Sequence, residues 1–204
     1  MKLVLQEFIS LDGVSQGPGA PDEDISGGFT RGGWLVPFID ERFIEIIKNW
    51  VGQADAFLFG RRTYQNFAGD WPKMDNPEDP VATALNHLPK YVATRNSVDA
   101  SWNRTTVLSQ QIEDKVAELK REAGRELQIH GSADLGYALL SAGLIDELRL
   151  VVAPVIVGQG RRLLPVEGQA IGLKPLHREE TSGGLSIQVF EPTGIPEFGI
   201  YGAA

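Results

Sequence analysis

Two short apolar runs in this chain pass without a linker into helix-forming segments: Ala56-Phe57-Leu58-Phe59 into Gly60-Arg61-Arg62-Thr63, and Leu127-Gln128-Ile129 into His130-Gly131-Ser132-Ala133-Asp134-Leu135-Gly136. Strands that alternate with helices in this way build a largely parallel sheet. The start of each helix leaves backbone N–H groups free and presents the positive end of the helix dipole. Each turn can therefore hold a phosphate, and two of them on one sheet suit a dinucleotide. Arg61 and Arg62 add guanidinium forks, which grip phosphate oxygens in a bidentate way and could read a phosphate beyond the diphosphate itself.

Other elements fall around these turns. Leu3 to Ile9 reads as a central strand closed by Ser10-Leu11-Asp12-Gly13, and Val14 to Gly33 as a long polar loop rich in Gly, Pro, Asp and Ser. Asp40 can cap a helix whose apolar stripe is Phe43, Ile46, Ile47, Trp50 and Val51. After a short helix at Thr63 to Phe67, prolines 72, 77 and 80 mark an irregular stretch. Tyr91 to Thr94 and Val107-Leu108 read as strands. A helix carries Ile112, Val116, Leu119 and Ala123, and another runs from Ala133 to Ala142 with Gly143 as its stop. Leu148 to Val157 is a strand bent at Pro154, and Ser182-Gly183-Gly184 turns into an alternating strand, Leu185 to Phe190. The expected fold is α/β, a mostly parallel central sheet flanked by helices with an antiparallel C-terminal hairpin. It forms one domain over residues 1–191 with a tail at 192–204.

Composition narrows the function classes. A net charge of −8 argues against nucleic-acid binding, although Arg61, Arg62, Arg95 and Arg104 could converge on a basic pocket within an acidic surface. No apolar run is long enough to span a bilayer, and the start of the chain lacks the pattern of a secretory signal. With no cysteine, disulfides and thiolate chemistry are excluded, and no metal-ligand spacing links His87, His130 and His177. The expectation is a cytoplasmic protein with no membrane partner and no metal.

The ordered set Ile9-Ser10-Leu11-Asp12-Gly13, Trp34-x-x-Pro37, Phe59-Gly60-Arg61-Arg62-Thr63-Tyr64, Thr94-Arg95-Asn96, Ile129-His130-Gly131-Ser132 and Gly143-Leu144-Ile145-Asp146-Glu147-Leu148 resembles the dihydrofolate reductase superfamily. Within it, the chain is closest to the branch containing the reductase domain of bacterial riboflavin biosynthesis. The resemblance implies NADPH as cofactor, held by Gly60, Arg61, Arg62 and Thr63, by Thr94, Arg95 and Asn96 at the adenosine 2′-phosphate, and by Gly131, Ser132, Ala133, Asp134 and Leu135 at the pyrophosphate. It also implies a homodimer. The family places Pro154 to Gly160 beside the substrate, and Pro154 and Trp34 are the candidate substrate-binding residues; the glycines at 158 and 160 lack the third glycine of a dinucleotide fingerprint.

Hydride transfer needs a positioned substrate and a proton source. Asp12, at the end of the first strand, and Asp40, one residue beyond the position where dihydrofolate reductases carry a carboxylate, are the candidate catalytic acids. Asp40 is better used as a helix cap and Asp12 sits in a turn context, so each has a structural reading beside the functional one. Arg31 and Arg42 are candidate holders of a substrate phosphate. The implied activity is that of an NADPH-dependent reductase like 5-amino-6-(5-phosphoribosylamino)uracil reductase. The alternatives are a dihydrofolate or pteridine reductase and a protein that binds NADP without turnover.

Overall fold

A computed structural model describes residues 1–74 and 76–202. Eight strands form one sheet: β1 (Lys2–Ser10), β2 (Ala54–Gly60), β3 (Lys90–Ala93), β4 (Thr105–Leu108), β5 (Glu126–His130), β6 (Glu147–Ala153), β7 (Gly172–Glu180) and β8 (Ser186–Gly194). Their order across the sheet is β4-β3-β2-β5-β1-β6-β8-β7. The first six are mutually parallel, and β8 and β7 add an antiparallel edge. Helices α1 (Glu41–Val51), α2 (Arg61–Asp70), α3 (Pro80–His87), α4 (Ile112–Arg121) and α5 (Ala133–Ser141) make the connections.

Strand alternation divides the core between the two faces of the sheet. Leu3, Leu5, Leu58, Leu127 and Ile129 pack with Val116 and Leu119 of α4 and Leu139 of α5. On the other side, Phe43 and Ile46 of α1 meet Val151, Leu185 and Ile187, while Phe57, Phe59 and Val92 meet Tyr64 and Leu85. α1 follows its sequence pattern: Asp40 accepts a hydrogen bond from the Phe43 N–H at 2.8 Å, and Phe43, Ile46 and Val51 are buried. α5 lies so close to β1 that a β-carbon on Gly136 would stand 2.8 Å from Leu5 Cδ1.

Four features differ from the sequence reading. α3 occupies residues read as no element, because Pro80 stands at a position where its missing N–H costs nothing and Asp79 caps the Val81 N–H. β6 stops at Ala153 instead of continuing to Val157, since Pro154 cannot donate to the ladder. β8 continues to Gly194, so Pro192 to Gly194 belong to the sheet and not to a tail, while Phe198 and Tyr201 are exposed. The long polar loop is packed down: Val14, Phe29, Trp34 and Leu35 are buried, and Trp34 Nε1 donates to the Gln16 carbonyl. Among the described residues no helix is long and apolar enough to cross a membrane.

Candidate functional site

The C-terminal ends of parallel strands are where open α/β sheets hold ligands. Here the ends of β2, β3 and β5, with Gln6, Glu7 and Phe8 from the middle of β1, line a cavity of about 580 Å³. All twelve residues expected to hold the dinucleotide line it, from the turns at 60–63, 94–96 and 131–135.

The two strand-to-helix corners are joined directly. The Gly60 N–H donates to Ser132 Oγ at 2.8 Å, and that hydroxyl donates to Thr63 Oγ1 at 2.9 Å. This closeness explains the glycine, since a β-carbon at residue 60 would lie 3.1 Å from Ser132 Oγ. Ser132 reaches Gly60 from a left-handed backbone, φ +68°, so its side chain does not cap its own helix. Whereas α1 and α3 carry aspartate caps, α2 and α5 have no side-chain cap, and these two N-termini border the cavity. Among the described residues, Arg61, Arg62 and Arg95 make no ion pair. After β3, Thr94 Oγ1 accepts from the Asn96 N–H and donates to its carbonyl, a tight turn that leaves Arg95 exposed at the rim. Arg104 lies elsewhere, donating to the His87 carbonyl, so the expected four-arginine cluster is three, joined by Arg161, which pairs with Asp24.

The wall formed by β1 and β5 is polar but uncharged. Gln6 and Glu7 are buried, and among the described residues both Gln6 amide atoms and Glu7 Oε1 have no hydrogen-bond partner. Burial pushes the Glu7 carboxyl up to about 8. His130, in register with Gln6, is pulled down to about 3 by burial and then by the Arg149 charge, which keeps the imidazole neutral. Its tautomer follows from a buried network beneath α1. Arg149 binds Glu126 and Glu147, and Gln128 Nε2 donates to Glu126 at 2.6 Å and to the Trp50 carbonyl at 2.7 Å. Gln128 Oε1 is thus the acceptor facing His130 Nε2 at 2.9 Å, which assigns the ring proton to Nε2.

Neither carboxylate expected to act on substrate reaches this cavity. Asp12 accepts from the Ser10 hydroxyl at 2.7 Å and from the Val157 and Gly158 N–H groups at 2.9 and 2.8 Å; these bonds, Ser10 first, lower it to about 2. It ties the end of β1 to the loop after β6. Asp40 caps α1 and also accepts from Ser182 Oγ and the Gly183 N–H, which holds it well below the usual carboxylate range. Trp34 is part of the core beneath the loop, and Pro154 lies exposed beside Gly184; neither lines the cavity. Arg31 is bonded to the Val157 carbonyl and Arg42 to Glu179 and Glu45, and neither lines the cavity. Glu7 was missed, although its signal is visible: Gln6 and Glu7 are consecutive polar residues inside an otherwise apolar central strand. Among the described residues no group of three His, Cys, Asp or Glu side chains could hold a metal ion.

The sequence pattern of the RibD C-terminal domain matches residues 1–187. The chain belongs to the RibD C-terminal domain family. Among relatives of this RibD C-terminal domain protein is the uncharacterised protein YyaP of Bacillus subtilis (strain 168), 26% identical over 197 residues, covering 95% of this chain and 96% of YyaP. Two solved structures share the fold. A Shewanella sp. PV-4 protein named for riboflavin biosynthesis is 18% identical with a TM-score of 0.66, covering 95% of this chain and 99% of that one. A dihydrofolate reductase of Enterococcus faecalis, solved in complex with NADP(H) and RAB-propyl, is 12% identical with a TM-score of 0.60, covering 94% of this chain and 96% of that one.

Proposed function

We propose that the protein is an NADPH-dependent reductase acting on a small heterocyclic or sugar-imine substrate. The observation that carries this reading is the pair of uncapped helix N-termini locked together through Gly60 and Ser132 and rimmed by Arg61, Arg62 and Arg95. The donor set fits the cofactor: free N–H groups and a dipole end for the diphosphate, and guanidinium groups that pair with no carboxylate among the described residues for the 2′-phosphate. When bound, reduced nicotinamide supplies a hydride. This chain's part is to grip the phosphates, hold the reacting end against the β1 wall and exclude water there.

The same geometry favours some substrates over others. Asp40 is fully engaged as a cap and tether, which counts against a pterin held through a carboxylate on α1. Arg31 and Arg42 are also committed, which counts against the phosphorylated pyrimidine of riboflavin synthesis and in favour of a substrate uncharged at its reacting end. We place the protein in the cytoplasm as a homodimer, a reading supported by the absence of cysteine and by exposed Leu173 and Leu176 on the edge strand β7.

Calorimetric titration with NADPH and NADH tests the cofactor assignment. NADPH should bind more tightly, and Arg62→Ala and Arg95→Ala should each weaken it by about 1–3 kcal/mol. Equal affinity for the two nucleotides, or unchanged affinity in both variants, would refute the assignment. Oxidation of NADPH against dihydrofolate, the ribosylamino-pyrimidine phosphate, a cyclic imine and simple carbonyls separates a reductase from a binder.

A further inference from the structure

A buried carboxyl with an oxygen that bonds nothing is costly, because the group loses its hydration without gaining a partner. Glu7 Oε1 is in that position, on a strand where leucine would pack without penalty, and the residue lines the cavity. Its strand neighbours offer it no charge: Leu150 is its partner on β6, and β5 has turned into the Gly131 corner beside it. The charged or titratable groups around the same cavity are Arg61 and Arg62 on α2, Arg95 after β3, Asp134 on α5, His130 on β5, and Glu23, Asp24 and Arg161 from the loops. None of them holds the Glu7 proton on or off; burial does. Gln6, next in the chain, is also buried with its amide unpartnered among the described residues, but strand alternation turns it to the opposite face of the sheet. An orphaned carboxyl in a cavity wall is a polar function kept for a ligand, not for the fold.

We propose that Glu7 is the general acid of this cavity, giving its carboxyl proton to the nitrogen of a substrate C=N bond. This rests on the reductase reading above. The O–H bond of Glu7 breaks as the N–H bond forms, and the iminium cation so produced sits beside the new carboxylate. That pairing is what favours an imine over a carbonyl, because a carboxylate in this wall otherwise has no counter-charge. Hydride from reduced nicotinamide then adds to the carbon, and the C=N π pair becomes the amine lone pair. One hydride, carrying two electrons and a proton, and one further proton from Glu7 have been transferred, and Glu7 regains its proton from solvent after release. A carboxyl protonated at neutral pH is matched to this task, since an acid works best with its pKa near the working pH.

The test uses the full chain, wild type and Glu7→Gln, which keeps the shape of the protonated acid. Infrared difference spectra of the wild type should show a protonated-carboxyl band at pH 7 that titrates away near pH 8 and is missing from the variant. NADPH affinity, read by titration, should agree within about 2-fold between the two proteins. With 1-pyrroline, a cyclic imine, as probe and NADPH as reductant, kcat should fall about 10²–10⁴-fold in Glu7→Gln, and the wild-type rate should decline as pH passes 8. Loss of NADPH binding in the wild type would overturn the reductase reading and the acid with it. Intact NADPH binding with Glu7 already ionised at pH 7, with no oxidation of NADPH by the imine, or with an undiminished rate in Glu7→Gln, would overturn the acid alone.

Discussion

Replacing Glu7 by glutamine should change how stability depends on pH, in a window that the structure defines. The Glu7 carboxyl rises from 4.5 to about 8 on folding, so the folded state holds this proton more tightly than the unfolded chain. Its contribution is complete below pH 4.5 and is lost as pH climbs to 8, at about 1.36 kcal/mol per unit. His130 has the opposite sign. It falls from 6.5 to about 3, so its contribution is complete above pH 6.5 and is lost as pH drops towards 3. Between pH 4.5 and 6.5 the two slopes oppose each other. Above pH 8, Lys90 enters: burial against Trp102 lowers it from 10.5 to about 8, which makes stability rise again towards pH 10.5. Glu7 has the steepest slope between pH 6.5 and 8, and with the tails of His130 and Lys90 partly offsetting it the wild type should lose roughly 1 kcal/mol of unfolding free energy over that interval. Glu7→Gln should instead gain slightly across the same interval, through His130 and Lys90, and, as pH falls below it, should lose stability faster than the wild type because the His130 slope is no longer offset. Urea unfolding followed by tryptophan fluorescence at pH 6.5, 7.2 and 8.0 measures both proteins. A wild type that is flat over this interval, or a variant that declines in parallel with it, would show that Glu7 is ionised or well solvated in the folded state, and the reasoning about the β1 wall would fail.

Two further outcomes follow from side chains whose roles are settled by contact. Asp40→Ala should cost about 0.5–2 kcal/mol of stability through the lost α1 cap while leaving NADPH affinity unchanged, as thermal melts and titration would show; a variant as stable as the wild type would contradict the capping role. Gly136→Ala should destabilise by about 1–3 kcal/mol, because the new methyl group would stand 2.8 Å from Leu5 on β1, and an unchanged melting temperature would mean that α5 can lift from the sheet at no cost.

Features governed by neighbours in sequence were legible without the structure. The α1 stripe and its Asp40 cap depend on residues three to eleven positions apart, and the helix after His130 stops where Gly143 adopts φ +68°. The corners at 60–63 and 131–135 were readable for the same reason, since a strand that runs straight into a helix announces its own free N–H groups. Pro80 misled because prolines were read as breakers, whereas this one stands in the first turn of α3, capped by Asp79. The carboxylates and arginines were harder. Asp12 meets Val157, 145 residues away, and Asp40 meets Gly183, 143 residues away; no local pattern reports such partners.

Sequence order alone thus determined the alternation of strands and helices, the family and the two phosphate-sized corners, because turn chemistry and amphipathic period act over a few residues. Tertiary packing decided which charges are free. It drew Asp12, Asp40, Arg31 and Arg42 into bonds with distant segments, set Ser132 against Gly60 across 72 residues, and enclosed Glu7 between β5 and β6 where its carboxyl keeps its proton. The ionisation and availability of a side chain depend on the solvent and partners around it, and those are fixed only when strands far apart in the chain become neighbours in the sheet.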